Sequence, residues 1–379
     1  VKTVKVGNEM AVTLSIGIGV GGDTYNQNYE YSRMAIDLAL GRGGDQVVVK
    51  EGENVVYYGG NSKQVEKNTR VKARVKAHAL REIIESREHV MIMGHSISDT
   101  DAFGAAIGIY CAARVLGKKA QIVLDQVTSS LRPLKEGFTT EKGYPPDMFV
   151  SSERALELTD YNTLVMVVDV NRPSHTECPG LLKRTDSIVV FDHHRQSSEV
   201  ISNPVLSYIE PYASSTCEMV AEVLQYFTEN IKLAPHEADC IYAGILIDTS
   251  NFMTKTGVRT FEAAAYLKRC GAEVTRVRKM LRNDMDAYKA RAEVVRHAEV
   301  YRGAFAISIC PADKIESPTI VGAQAADELL NIVGIKASFV LTEYQGKIYV
   351  SSRSIDEINV QKICLLYTSD AADDKARVD

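Results

Sequence analysis

The sequence predicts an α/β protein: a main domain with a parallel β-sheet, followed by a second, smaller α/β domain. Between residues 88 and 268, short apolar runs alternate with helical segments, and this strand-and-helix rhythm produces parallel sheets. After residue 275, a helix predicted over Lys279–Gly303 precedes strand-like runs, two of which flank a turn at Gln345-Gly346. The composition, with 45% hydrophobic and 25% charged residues, is that of folded globular domains.

Charge, cysteine content and hydropathy limit the classes of function. A net charge of −5 over 379 residues does not predict a groove for long nucleic acids. The seven cysteines are scattered without a Cys-x-x-Cys pair, which indicates a reducing compartment. No apolar run approaches the roughly 18 residues of a membrane span, and no signal peptide is recognisable. We therefore expect a soluble segment. Because the sequence begins at Val1 rather than at a methionine, we also expect it to be part of a longer protein.

Residues 1–57 are predicted to form a strand, a helix and a second strand ahead of the main domain. A strand is expected at Ala11–Val20, a helix at Tyr29–Gly44 and a second strand after Asp45. The triplet Gly43-Gly44-Asp45 lies between the helix and the second strand.

Residues 58–87 are predicted to form a linker and a basic helix. A thin apolar stripe runs along this helix through Val71, Val75, Leu80 and Ile83 or Ile84. A basic helix could contact nucleic acid or a membrane surface. We expect a solvated connector instead, because the chain as a whole is acidic.

The segment Val90–Gly108 contains the first candidate functional residues. An apolar strand is followed by His95, Asp99 and Asp101, and a helix is predicted from Ala102 onward. Ligands collect at the carboxyl ends of parallel strands, so the position suits a binding site. One of the aspartates could simply cap the helix. A cap, however, requires no histidine four residues earlier.

Three later segments also end in side chains that can bind metals. Asp169 follows an apolar strand, Asp192, His193 and His194 end the next one, and Asp248 ends a buried helical run. Four carboxylates crowded together would repel one another unless cations lay among them. We therefore predict a binuclear metal site at these element ends.

The ligand types predict the metal and the chemistry. Carboxylates and imidazoles without a thiolate favour two Mn²⁺ ions, or Mg²⁺, Fe²⁺ or Co²⁺ in their place, over structural zinc. Two such ions can share a hydroxide and direct it in line at a phosphorus atom. The expected reaction is hydrolysis of a phosphoester or phosphoanhydride. A nucleophilic triad built on Ser214, Ser215 or Thr216 is the alternative, although these residues have the pattern of a helix N-cap, whose N–H groups would also suit a phosphate.

The segments HSISDTD, VVDVNRP, FDHHR and LIDTSNF resemble the four motifs of the DHH phosphoesterase superfamily. The resemblance implies that His95 and Asp99 bind one metal, that Asp101, His193 and Asp248 bind the other, and that Asp169 bridges them. It also implies that Asp192 orients the imidazoles and that His194 protonates the leaving oxygen. The expected boundaries of the DHH catalytic domain are residues 88–268.

Residues 275–363 resemble the DHH-associated substrate domain. Arg353 and Ser354 match its phosphate-contacting stretch, although Arg353 could equally be a surface strand residue. After INVQKI, family members continue into a glycine-rich loop, whereas this chain continues with CLLYTSDAADDKARVD. We expect residues 364–379 to be a non-native tail and the substrate domain to be incomplete.

Residues 1–57 resemble the carboxyl-terminal part of a degenerate GGDEF domain. A degenerate GGDEF domain followed by a DHH pair is similar to membrane-anchored phosphodiesterases of the GdpP/YybT type. That resemblance implies a cyclic dinucleotide substrate, cyclic di-AMP, which is opened to 5′-pApA. It also implies a cytoplasmic catalytic portion, attached to the cell membrane only through segments upstream of this sequence, and leaves a homodimer open.

Two alternative functions remain open at this point. DHH nano-RNases and 3′-phosphoadenosine phosphate phosphatases act on short linear substrates with the same type of site. A nucleotide-sensing regulatory protein is the third hypothesis, although sensing alone does not require four crowded carboxylates.

Overall fold

The computed structural model describes residues 14–41, 46–52, 54–59, 69–128, 130–196, 199–229, 231–282, 285–311, 315, 318–344, 346–355, 358 and 360. The chain divides into two compact units, Val1–Leu281 and Arg282–Asp379. The Gly43-Gly44-Asp45 triplet and the tail at 364–379 lie outside the described residues.

The first elements form a small three-stranded sheet with one helix. They are β1 (Ile16–Val20), α1 (Tyr25–Gly41), β2 (Gln46–Glu51) and β3 (Asn54–Gly59), with β1 parallel to β2 and β3 antiparallel to β2. The helix lies directly on β1 because Gly17 and Gly19 have no side chains. A Cβ atom at Gly17 would lie 2.4 Å from the backbone of Ile36. The sequence analysis did not predict β3.

The basic helix α2 (Thr69–Glu85) is not a solvated connector, so that expectation is wrong for the part of the helix that the structure describes. Ala73, Ala77, Leu80 and Ile84 are almost completely buried, and the last three belong to the main core. Val75 points to solvent and is 59% exposed.

The main sheet has six strands, all parallel, in the order β6-β5-β4-β7-β8-β9. They are β4 (His89–Met93), β5 (Lys119–Val123), β6 (Phe149–Val150), β7 (Thr163–Val168), β8 (Ile188–Asp192) and β9 (Leu206–Ile209). The strand order reverses between β4 and β7, and in open α/β sheets this switch point is where ligands bind. The parallel α/β prediction is confirmed, with β6 and β9 as additional strands.

Helices cover both faces of this sheet. They are α3 (Thr100–Val115), α4 (Arg132–Lys135), α5 (Ser152–Leu158), α6 (Thr216–Phe227), α7 (Pro235–Asp248), α8 (Val258–Arg269) and α9 (Val274–Met280). The larger core lies on the face covered by α2, α3, α6 and α7. Among the described helices, none is long and apolar enough to span a membrane.

The second unit is a four-stranded mixed sheet with two helices. Its elements are α10 (Met285–Arg296), β10 (Glu299–Tyr301), β11 (Phe305–Cys310), α11 (Pro318–Leu330), β12 (Ala337–Tyr344) and β13 (Lys347–Ser354). The strands follow their sequence order, and only the pair β11 and β12 is parallel. One continuous helix was expected over Lys279–Gly303. That expectation is wrong, because α10 ends at Arg296 and the next residues turn back as β10.

Candidate metal centre

The candidate ligands meet at the carboxyl edge of the main sheet. His95 follows β4 and Asp169 follows β7, on the two sides of the switch point, and His193 follows β8. The other candidate ligands lie at helix ends: Asp99 and Asp101 are at the start of α3, and Asp248 is the last residue of α7. The ligand atoms lie within 4.8 Å of one another in three groups: His95, Asp99 and Asp169; Asp101, His193 and Asp248; Asp169, His193 and His194.

Asp169 lies between the first two groups. One of its carboxylate oxygens, Oδ2, is 3.7 Å from His95 Nε2, and the other, Oδ1, is 3.5 Å from His193 Nε2. Its backbone has a φ of 62°, in the left-handed region that Asp and Asn tolerate better than most residues. A strained backbone of this kind persists where the surroundings fix it. The chain therefore turns sharply after β7 and keeps this carboxylate at the sheet edge.

The ring of His193 provides a direct test of whether a cation fits. Its Nε2 atom is buried and has no hydrogen-bond partner among the described residues. Oxygens of Asp248, Asp169 and Asp101 surround it at 3.3, 3.5 and 3.9 Å without forming a hydrogen bond to it. Ligand atoms about 2.0–2.2 Å from a shared metal lie roughly 3–3.5 Å apart. The spacing therefore fits a cation between the imidazole and the carboxylates.

The electrostatics of the cluster also favour a cation. Burial, reinforced by the charges of Asp101 and Asp99, raises the pKa of Asp248 to about 9. Burial and the same two carboxylates raise the pKa of Asp169 well above its ordinary value. Burial also lowers the pKa of His193, which keeps its imidazole neutral and able to bind a metal. The cluster is therefore fitted for divalent cations, which would allow all four aspartates to be ionised.

The amino terminus of α6 holds Asp101 in place, a contact that the sequence analysis missed. The backbone N–H groups of Thr216 and Cys217 donate to Oδ2 and Oδ1 of Asp101 at 2.7 and 2.9 Å. The hydroxyl of Thr216 also donates to Asp169 Oδ1 at 2.9 Å. These N–H groups were expected to suit a substrate phosphate. That expectation is wrong, because the buried carboxylate already occupies them.

Close helix packing brings Asp101 to this position. A Cβ atom at Gly244, on α7, would lie 2.4 Å from Cys217 Sγ and 2.9 Å from Asp101 Oδ1. A Cβ atom at Gly104, on α3, would lie 2.5 Å from the carbonyl oxygen of Cys240. The two glycines therefore allow α3, α6 and α7 to meet beneath the site.

Asp99 caps a helix and also faces the candidate ligands. It is the N-cap of α3, where its Oδ1 accepts hydrogen bonds from the backbone N–H groups of Asp101 and Ala102 at 2.9 and 3.0 Å. The same oxygen lies 3.5 Å from His95 Nε2. Capping therefore fixes a carboxylate that also faces the cluster.

Asp192 lies behind His194. Its Oδ1 accepts the backbone N–H of His194 at 3.0 Å and lies 2.8 Å from Nδ1 of the same ring. Its Oδ2 accepts a hydrogen bond from the side chain of Asn171. Burial lowers the pKa of His194, but the hydrogen bond and the charge of Asp192 outweigh it and raise that pKa. The ring is therefore held at Nδ1 while its side chain remains 57% exposed.

The hydroxyls proposed as an alternative nucleophile have structural partners. Ser215 caps α6 by accepting the Glu218 N–H, and Ser214 donates to the Glu218 carboxylate at 2.5 Å. Within the described part of the chain, neither serine nor Thr216 hydrogen-bonds a histidine. The pattern is that of a helix N-cap and not of a nucleophilic triad.

The predicted substrate-binding residues lie in the second unit, on β13. Arg353 Nε donates to Asp327 Oδ1 at 2.7 Å, and its side chain is 32% exposed. Ser354 pairs with Ala337 across the sheet. The other predicted site residues all belong to the first unit.

Comparisons with known proteins find two matching family models and several similar sequences. Residues 89–245 match the DHH family, N-terminal domain, and residues 2–57 match the GGDEF domain of cyclic-di-AMP phosphodiesterase GdpP-like proteins. The sequence is 41% identical to the cyclic-di-AMP phosphodiesterase GdpP of Geobacillus thermodenitrificans, over 94% of this chain and 54% of that protein. It is 40% identical to the cyclic-di-AMP phosphodiesterase PdeA of Listeria monocytogenes, over 93% of this chain and 54% of that protein.

A solved structure supports the fold. The exopolyphosphatase-related protein from Bacteroides fragilis superposes with a TM-score of 0.66 at 18% identity, covering 77% of this chain and 86% of that one. The chain spans about half the length of the curated relatives that it matches. On these matches and the shared motifs, residues 89–245 belong to the DHH family, and a GdpP-like GGDEF domain precedes them at residues 2–57.

Proposed function

We propose that this chain is the catalytic part of a phosphodiesterase that hydrolyses cyclic di-AMP to 5′-pApA. The observation that carries the proposal is Asp169, whose two carboxylate oxygens face His95 and His193 on opposite sides. The names of two relatives at 40–41% identity supply the substrate.

We propose two Mn²⁺ ions as the cofactor. His95, Asp99 and Asp169 would hold one ion, and Asp101, His193 and Asp248 would hold the other, with Asp169 shared. This set contains imidazoles and carboxylates but no thiolate, which suits Mn²⁺, Mg²⁺, Co²⁺ or Fe²⁺. When bound, such ions acidify water and offset negative charge at the phosphorus.

His194 is proposed as the proton donor to the leaving oxygen. Asp192 engages its Nδ1, so Nε2 is the ring atom available to a substrate. The raised pKa keeps a larger fraction of the ring protonated near neutral pH, as a general acid requires. A His194→Gln variant is expected to lower kcat by about 10²–10⁴-fold with intact metal binding. Loss of metal binding in that variant would instead identify His194 as a ligand.

Arg353 and Ser354 are proposed to contact a substrate phosphate. A guanidinium matches two phosphodiester oxygens, and a substrate would have to compete with Asp327 for it. The cytoplasmic location, the membrane anchor upstream and the homodimer rest on resemblance alone and stay predictions.

The decisive experiment follows both substrates by chromatography. The purified chain is incubated with cyclic di-AMP and, separately, with linear pApA, each with Mn²⁺ and with chelator. We expect Mn²⁺-dependent opening of the cyclic substrate and accumulation of pApA. Asp169→Asn is expected to abolish turnover, whereas Asp23→Asn, the same change on an exposed residue outside the site, is the matched control.

Two outcomes would contradict the proposal. Cleavage of pApA with no opening of cyclic di-AMP would assign the chain to the nano-RNase type. Turnover that is unchanged by chelation, or near-normal turnover by Asp169→Asn, would exclude the shared-metal arrangement.

A further inference from the structure

A basic cavity lies at the opposite edge of the main sheet from the metal centre. It has a volume of about 380 Å³, and its lining includes Arg87, Tyr161, Lys183 and Arg184. Arg87 precedes β4, Tyr161 precedes β7, and the other two precede β8. Because these strands are parallel, all four residues lie at the amino edge. A strand of five or six residues separates the two edges by about 17–20 Å.

Within the part of the chain that the structure describes, the cations of this cavity have no anionic partners. Arg87, Lys183 and Arg184 form no ion pair with any residue that the structure describes. Only one carboxylate, Asp186, is among the lining residues, so positive charge predominates. Surface lysines and arginines often lack partners, but these three converge on one concave site.

The guanidinium of Arg87 has a hydrogen-bond donor that the described part of the protein leaves unsatisfied. Its Nε atom is buried and has no hydrogen-bond partner among the described residues. Its Nη1 makes only a long contact, 3.4 Å, with the carbonyl oxygen of Tyr161. A buried donor without an acceptor costs about 1–3 kcal/mol, so such atoms require an explanation. An oxyanion in the cavity would supply the acceptor once a rotation of the side chain brings Nε to the cavity surface, since that atom is closed to solvent as it stands.

The loop that carries the other two cations is fixed before any ligand binds. Thr185 donates its hydroxyl to the carbonyl of Thr163 at 2.9 Å and accepts the N–H of Ser187 at 3.0 Å. Both bonds are buried, which anchors the loop to the ends of β7 and β8. A preorganised loop binds a ligand with a smaller loss of conformational entropy.

From these observations we propose a second ligand site, in which Arg87, Lys183 and Arg184 bind a phosphate-bearing small molecule. Arginine and lysine are the side chains that bind phosphate oxygens in proteins. The ring of Tyr161, which is 78% exposed at the same cavity, offers a face on which a nucleobase could stack. Inorganic phosphate and a nucleoside phosphate share this chemistry, and the cavity volume accommodates either. The proposal does not depend on the reaction at the metal centre.

The chain contains no tryptophan, which allows a site-specific test. The substitution Tyr161→Trp places a single fluorescent reporter at the cavity in the full chain with Mn²⁺ present. Titration with inorganic phosphate, and separately with AMP and ATP, is expected to give a saturable fluorescence change. The double substitution Lys183→Gln/Arg184→Gln in this background should weaken binding at least tenfold. The matched control is Lys232→Gln/Arg278→Gln, which removes two exposed charges that do not line the cavity.

The outcomes separate the ligand sources. Saturation by phosphate, AMP and ATP alike supports an oxyanion site, and much tighter binding of the nucleotides supports stacking on residue 161 as well. The proposal is overturned if no ligand gives a saturable signal. It is also overturned if the signal survives Lys183→Gln/Arg184→Gln unchanged, or if a reporter placed by Tyr25→Trp, on an exposed residue outside the cavity, responds equally.

Discussion

Thr216 supports the candidate metal centre from outside the set of ligands. Its hydroxyl donates to Asp169, and its backbone N–H donates to Asp101. Hydrogen bonds of this kind orient the carboxylates that bind a metal, and losing one typically costs 10–100-fold in metal affinity. We therefore expect Thr216→Val, which keeps the shape but removes the hydroxyl, to weaken Mn²⁺ binding by about that factor.

Calorimetric titration of chelator-treated protein with Mn²⁺ measures this effect. Thr216→Ser restores a hydroxyl and should recover most of the affinity, whereas a structural defect would persist in both variants. Equal Mn²⁺ affinity in Thr216→Val and the unmodified chain would show that the contact does not orient Asp169.

At the residue scale, the candidate ligands at the ends of strands and helices could be predicted from the sequence. The residues that hydrogen-bond these ligands could not. His95, Asp169 and His193 each follow an apolar strand, so local pattern and sheet geometry together predicted where they lie. The bond from Thr216 to Asp101 joins residues 115 positions apart. No local pattern encodes such a contact, because it depends on how closely α6 approaches α3.

At the scale of elements, α2 is a part of the core of the first unit. Leu80 is completely buried on this helix, whereas Val75 is 59% exposed. We expect Leu80→Ala to lower the free energy of unfolding by about 2–5 kcal/mol, because it removes buried contacts and leaves a cavity. Val75→Ala on the same helix should change it by no more than about 0.5 kcal/mol. Urea unfolding followed by circular dichroism measures both, and equal effects would contradict the packing of α2.

Glu237 connects the first turn of α7 to the last turn of α3. Its carboxylate accepts hydrogen bonds from Arg114, from the Tyr144 hydroxyl and from the backbone N–H of Ala234. Burial raises the pKa of Glu237, but the bonds from Arg114 and Ala234 outweigh it and hold that pKa below its ordinary value. The ionised form therefore stabilises the fold above the ordinary pKa of a glutamate, and this contribution is lost as pH falls through the lower pKa of the folded state.

We accordingly expect Glu237→Gln to reduce stability by about 1–3 kcal/mol at pH 7 and by less near pH 4. Thermal melts at the two pH values measure the difference, with the exposed Glu141→Gln as the control. A deficit that is the same at both pH values would mean that the charge of Glu237 does not contribute.

Two strands of the main sheet that the sequence analysis missed, β6 and β9, are short or depend on distant partners. β6 has only two residues, Phe149–Val150, too few to show a periodic pattern. The four residues of β9 form the sheet edge through pairing with β8. The buried face of α2 was underestimated because Ala73 and Ala77 contribute little hydrophobicity to the sequence pattern. Small residues at helical spacing nevertheless allow close packing of α2 on α6.

At the scale of the molecule, the reversal of strand order explains why residues far apart in sequence form one site. The chain adds β5 and β6 on one side of β4 and then returns to add β7, β8 and β9 on the other. The loops after β4 and β7 therefore separate at the switch point and leave room for ligands. The sequence predicted the parallel sheet, but strand order follows from tertiary packing that periodicity does not report.

The crowding of carboxylates makes the stability of the first unit depend on cations. Without a metal, the folded cluster must either keep some carboxylates protonated or hold ionised carboxylates that repel one another. Both cost free energy of folding. A cation that binds the folded chain removes this cost. Binding at 1,000 times Kd stabilises a folded protein by about 4 kcal/mol. We expect saturating Mn²⁺ to raise the melting temperature by roughly 8–16 °C, since 1 kcal/mol corresponds to about 2–4 °C for a unit of this size.

The variant Asp169→Asn tests whether Asp169 contributes to stability through metal binding or through its own contacts in the fold. Asparagine tolerates the left-handed backbone at this position, and the substitution removes one of the crowded charges. In chelator, the variant should therefore melt no lower than the unmodified chain, whereas in Mn²⁺ it should lose most of the metal-dependent rise. Asp23→Asn should behave like the unmodified chain in both conditions. If Asp169→Asn instead melted lower by the same amount with and without Mn²⁺, Asp169 would be a structural residue, and the sharing of this carboxylate between two cations would have to be abandoned.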